Sequence, residues 1–86
     1  MPEISRFFGM RIRMYFDDHA PPHFHATYEG HDCVVDIQEL RVIEGNLSPR
    51  AVGLVIEWAT LHREELMVAW NRAQRHEAPG KIEPLR

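Results

Sequence analysis

The chain has 86 residues, 44% hydrophobic and 27% charged, with a net charge of −3 and a single cysteine. That length holds one domain with a modest core, and one thiol excludes both an internal disulfide framework and a multi-cysteine zinc site, as in a reducing compartment. The charge is uneven, +2 over residues 1–16, −6 over 17–47 and +1 over 48–86, a balance that does not favour nucleic acid as a partner.

The opening MPEISRFF has no basic run and no apolar h-region, which argues against a secretory signal. No apolar stretch approaches the roughly 20 residues that cross a bilayer, so the expectation is a cytoplasmic protein with no membrane association. ISRFF is a short strand candidate, with Gly9 as a turn or bulge behind it. RIRMYF alternates, placing Ile12, Met14 and Phe16 on one face and Arg11, Arg13 and Tyr15 on the other, the pattern of a half-buried strand. DDHAPP then interrupts, because Pro21 and Pro22 donate nothing to a ladder and fix their own φ.

HFHATY alternates again, with Phe24, Ala26 and Tyr28 facing the core and His23, His25 and Thr27 the opposite side. EGHD is the tip of a hairpin and DCVVDI the returning strand. A weaker strand, RVIEG, follows before a turn at Gly45-Asn46. Cys33 points inward with Val35 and Ile37, where a thiol is inert. Strands thus occupy about residues 3–45.

The remainder reads as one long helix over about 48–76, capped by Ser48 with Pro49 in the first turn. Val55, Ala59, His62, Leu66, Ala69 or Trp70, and Ala73 follow helical spacing. Such a helix would span roughly 42 Å, against a radius of gyration of roughly 12 Å for this length. It therefore overhangs the sheet, bends near Gly53, or spends its excess apolar surface in a homodimer. Residues 77–86 form an extended tail that docks Ile82 and Leu85 back on the body. The fold expected is a single α+β domain over 1–86: a small antiparallel sheet of four to five strands packed on one long C-terminal helix.

The candidate chemistry lies in DDHAPPHFHATYEG. His23 and His25 share one strand face, roughly 6–7 Å apart, and His19 stands in the loop before them. A Gly30-His31 turn sets position 25 opposite position 36, and a Glu29-Gly30 turn sets position 23 there. Either register puts Asp36 on the histidine face, whereas a three-residue loop would move it to the other. Three chemistries fit. His19, His23 and His25 can supply three nitrogens to zinc or another divalent metal, leaving one position for water. His23 or His25, oriented by Asp36, can act as general acid or base. Arg13 and Tyr15, with Asp18 and His19, can line a pocket for a phosphate or carboxylate. The plainer alternative is that the histidines only hold loop carbonyls around the two prolines.

ISRFFGMRIRMYFDDHAPPHFHATY, EWATLHREELMVAW and KIEPL together resemble the small bacterial family known as domain of unknown function 4160. The DHAPPHFHA block carries most of that resemblance. Its signature falls on Asp18, His19, Pro21, Pro22, His23, Phe24, His25 and Ala26, then on Glu57, Trp58, His62, Arg63, Glu65, Leu66 and Trp70. The resemblance implies a stand-alone bacterial protein with a small protein partner encoded nearby, in a two-gene, toxin–antitoxin-like arrangement. It supplies no reaction. Two functions are therefore carried forward: a protein-binding component of such a pair, and a histidine-dependent hydrolase or nuclease, with or without a metal, on the His19/His23/His25/Asp36 face.

Overall fold

A computed structural model describes residues 2–86. Five strands form one antiparallel meander in the order β1 (Glu3–Phe7), β2 (Met10–Arg13), β3 (His23–Tyr28), β4 (His31–Asp36) and β5 (Arg41–Gly45). Two helices follow, α1 (Pro49–Leu61) and α2 (Arg63–Gln74). The α+β reading holds, with all five strands present.

Alternation decides which side of the sheet is buried. Ile4, Met10, Ile12, Phe24, Ala26, Cys33 and Val35 are fully covered, while Arg6, Arg11, His25, Asp32 and Glu44 look the other way. The tight hairpins follow from local chemistry. Phe8-Gly9 and Glu29-Gly30 both take positive φ at both turn positions, the two-residue turn whose twist matches that of its strands. The second turn sets Tyr28 opposite His31 and, down the ladder, His23 opposite Asp36. Of the two registers open in the sequence, the Glu29-Gly30 turn is the one formed. Gly45 is required at its position, since its φ is +74° and a Cβ there would lie 2.3 Å from the Asp32 carbonyl oxygen.

The expected single C-terminal helix is two helices, of 13 and 12 residues. The break falls at His62, whose φ of −124° and ψ of 24° leave the helical region, and not near Gly53, which sits inside α1. The His62 N–H turns back to the Ala59 carbonyl at 3.2 Å, and the His62 carbonyl accepts from the Leu66 N–H to start α2. Its imidazole Nδ1 meets the Glu65 carboxylate at 2.7 Å, and Glu64 and Glu65 place negative charge in the first turn of α2, where the helix dipole favours it. The break also matches the size of the molecule. The longest dimension of the molecule is 33 Å and its radius of gyration 11.5 Å, so an unbroken helix of that length would project beyond the sheet. Breaking it lets Val55 and Trp58 on α1, and Leu66 and Trp70 on α2, all reach the core.

Helix α2 closes with His76 at φ +60°, its N–H on the Ala73 carbonyl and the Glu77 N–H on the Arg72 carbonyl. This is a Schellman closure with histidine in the left-handed place that glycine usually takes. The tail docks as its apolar residues demand. Ile82 and Leu85 are buried, the Ile82 N–H bonds the Ile4 carbonyl at 2.7 Å, and the Trp58 indole N–H donates to the Glu83 carbonyl at 2.7 Å. Phe16, expected on the core face, is 42% exposed, because β2 ends at Arg13 and the chain has left the sheet by then. No helix among the described residues is long and apolar enough to cross a membrane.

Candidate metal centre

The segment after β2 crosses the end of the sheet and is pinned to α2. The Asp17 N–H reaches the Ala73 carbonyl at 3.2 Å, and the Gln74 side-chain amide donates to the Asp18 carbonyl at 2.8 Å. The Ile37 N–H then bonds the Pro22 carbonyl at 3.0 Å. These bonds hold the Asp18 side chain over the start of β3.

Three donors converge there. His23 Nε2 lies 2.8 Å and His25 Nε2 3.4 Å from the same oxygen, Asp18 Oδ2, and the three ligating atoms all fall within 4.8 Å of one another. His23 is nearly closed to solvent, its side chain 7% exposed, with the Trp70 ring 5.1 Å away, centre to centre. Its Nδ1 sits 2.7 Å from the Pro21 carbonyl oxygen. A carbonyl only accepts, so Nδ1 donates to it, and Nε2 is the nitrogen turned to the Asp18 carboxylate. That second bond is the outer support a metal-ligating imidazole normally has. His25 is partly open and stacks against Tyr15 at 4.3 Å between ring centres.

Burial works to raise the Asp18 carboxyl, but the His19 backbone N–H and the imidazoles of His23 and His25 outweigh it. The net position is below the ordinary carboxylate value. Asp18 is therefore an anion at neutral pH, fixed at one oxygen by the His19 N–H, 3.0 Å from Oδ1, with the other presented to both histidines.

The other expected residues fall as follows. His19 stands on the far side of the carboxylate, its Nδ1 3.3 Å from Oδ1 and its side chain 93% exposed. The donors that converge are two histidines and Asp18 in place of the three expected histidines, because the Asp18 carboxylate turns inward and His19 outward. Asp36 is buried opposite His23, but its Oδ1 accepts the Gln38 and Glu39 N–H groups, both at 2.8 Å. Its oxygen thus organises the β4–β5 turn and stays out of the cluster. Arg13 pairs in register with His25. Asp18, expected as a binding residue, is instead one of the three converging donors, and an acid beside His19 and five residues before His23 was the available signal. Gln74 gave none and Trp70 stood only in the second signature block, because the fold of α2 is what brings them to this loop.

A protein-family comparison matches residues 9–71 to the domain of unknown function DUF4160. The chain belongs to the DUF4160 family. The matched span holds Asp18, His23, His25, Tyr15 and Trp70, so the cluster lies wholly inside the DUF4160 region. Comparisons with curated proteins and with solved structures gave no match. His62, in the second signature block, is remote from the cluster and packs on Trp58 at 5.7 Å. Arg63 there donates to the Gln38 carbonyl, tying α2 to the β4–β5 turn.

Proposed function

We propose that this protein is a small divalent-metal-dependent hydrolase whose centre is Asp18, His23 and His25. The convergence of these three donors on one point carries the reading. A tetrahedral site with bonds of about 2.1 Å spaces its ligands about 3.4 Å apart. The His25–Asp18 separation is already 3.4 Å, the His23–Asp18 separation of 2.8 Å opens by about 0.6 Å to reach that spacing, and all three donor atoms lie within 4.8 Å of one another. Two imidazoles and a carboxylate make a three-ligand set that leaves room for water, as catalytic zinc sites do. When bound, a divalent cation supplies Lewis acidity and a water nucleophile at neutral pH.

The chain's own residues set the rest. The Pro21 carbonyl fixes the tautomer of His23, the His19 N–H fixes the rotamer of Asp18, and Tyr15 holds the His25 ring. A shallow groove of about 170 Å³ opens beside the cluster between the Ala20-Pro21 loop and Val34, Ile43 and Glu44, giving a substrate access from the β5 side. The test is direct. Metal-stripped protein titrated against a zinc chelator indicator takes up one equivalent, and Asp18→Asn and His25→Ala each lose at least about tenfold in affinity. Wild-type affinity no higher than that of both variants refutes the centre.

A second reading, a protein-binding component of a two-gene pair, is favoured by a separate feature. An apolar cleft of about 320 Å³ lies between the β1–β2 turn and α1, lined by Phe8, Met10, Tyr28, Ala51 and Leu54. Phe8 stands 57% exposed at its rim. Exposed aromatics beside such a cleft are the usual anchors of a protein interface. Co-purification with the small protein encoded nearby, lost in Phe8→Ser, supports that reading, and unchanged co-purification overturns it.

A further inference from the structure

The solvent face of the sheet is electrically polarised across His25. On β1 and β2, Arg6 lies directly opposite Arg11, and Arg13 follows two positions on, opposite His25 on β3. Like charges facing each other across a ladder destabilise it. Glu3 relieves only part of this: it lies opposite Arg13 but bonds the Arg6 guanidinium at 2.8 Å. Among the described residues the side chains of Arg11 and Arg13 make no hydrogen bond or ion pair, whereas Arg6, Arg41, Arg75 and Arg86 each have a carboxylate. Two arginines without a carboxylate partner thus share one strand face, their Cα atoms roughly 6–7 Å apart, with Arg13 beside His25 and Arg11 one step further along, opposite Thr27.

The other side of His25 is different. Val34 is its register partner on β4, Glu44 lies beyond on β5, and Ile43 is 41% exposed beside them. That half of the groove is apolar and ends in an acid. It repels an extended polyanion and accepts an uncharged group.

We propose, resting on the metal-centre reading above, that the substrate is a phosphate ester of a small uncharged organic group. Arg13 and Arg11 hold the phosphoryl oxygens, and the organic group lies over Val34 and Ile43. Guanidinium forks match phosphate oxygens in pairs, which a carboxylic ester cannot exploit. The reaction balances as ordinary ester hydrolysis. The oxygen of water bonds to phosphorus, the phosphorus–ester oxygen bond breaks, and the two protons of water end one on the released alcohol and one on inorganic phosphate.

Calorimetric titration of phenyl phosphate into metal-free and zinc-loaded protein tests this. Wild type binds phenyl phosphate in both forms, and more tightly with zinc. Arg13→Gln weakens binding by at least about tenfold in both forms, as loss of a charge-assisted pair requires. It leaves zinc affinity and the metal-free melting temperature unchanged. Zinc failing to bind, while metal-free wild type still binds phenyl phosphate in an Arg13-dependent way, sinks the metal reading and spares the anion pocket. Four results overturn the proposal: no binding to wild type, equal binding by Arg11→Gln, Arg13→Gln and wild type, benzoate binding as tightly as phenyl phosphate, or an oligonucleotide binding more tightly than either.

Discussion

Zinc bound by the folded chain and not by the unfolded one stabilises it by mass action, at about 2.7 kcal/mol when free zinc stands 100-fold above Kd. For a domain of this size each kcal/mol moves the melting temperature by about 4–8 °C, so the zinc-dependent shift is about 11–22 °C. His25→Ala removes one of three ligands, and its intrinsic cost is small. His25 is the most open of the three, 23% exposed, and its contact with Asp18 is long at 3.4 Å. Partial exposure keeps the metal-free penalty below about 1 kcal/mol. Thermal melts by circular dichroism, with chelator and with zinc, separate the two effects. Wild type shows the full shift and His25→Ala loses most of it, while their chelated melts differ by less than about 8 °C. Asp18→Asn keeps the side chain's shape and an oxygen for the His19 N–H, and loses the shift as well. His31→Ala, at the exposed hairpin tip, retains it and reports any adventitious surface binding. The reasoning is refuted if zinc raises the melting temperature equally in wild type, His25→Ala and Asp18→Asn.

Other consequences are independent of metal. The Asp18 carboxyl is held below its unfolded value of about 3.9, so its contribution is present above that pH and is lost as pH falls through the lower folded value. In urea unfolding at pH 7 and pH 3, the wild-type advantage over Asp18→Asn is largest at pH 7 and shrinks at pH 3; an advantage that grows on acidification contradicts the assignment. Gly45→Ala forces a side chain to φ +74° and against the Asp32 carbonyl and costs at least about 2 kcal/mol in the same assay. Gly53→Ala, on α1 with nothing within 4 Å of the new methyl, gains about 0.5–1 kcal/mol. Trp58→Phe loses the bond to the Glu83 carbonyl and part of a ring buried against Phe7 and Phe24. It destabilises by about 2–3 kcal/mol and frees the tail, read as faster amide exchange at Ile82; an unchanged exchange rate at Ile82 refutes the strap.

Period-two alternation was enough to place β2 and β3, since Ile12, Phe24 and Ala26 must all face one way whatever the tertiary contacts, and the hairpin turn then supplied β4. The hairpin register was legible only as a choice, because Glu29-Gly30 and Gly30-His31 are both acceptable two-residue turns. The fold resolves it by giving Glu29 a left-handed φ of 50°. The helix break was not legible. Nothing at His62 is a helix breaker, and the stripe from Val55 to Ala73 runs straight through it. The break at His62 lets both halves of that stripe reach one core, a tertiary requirement no local pattern encodes. The same separation of local from global information explains the site. Alternation placed His23 and His25 on one face, and register brought Asp36 to it. A carboxylate beside a turn, however, is claimed by whichever N–H groups lie nearest. Gln38 and Glu39 take Asp36, and Asp18 is left for the histidines because Gln74 and Ala73 pull its loop across the end of the sheet. Helix α2 therefore selects the third donor of the proposed centre without touching its carboxylate oxygen. Gln74→Ala, which removes only that tether, is the substitution by which the fold's control over the centre becomes measurable as weakened zinc affinity with both histidines and Asp18 intact.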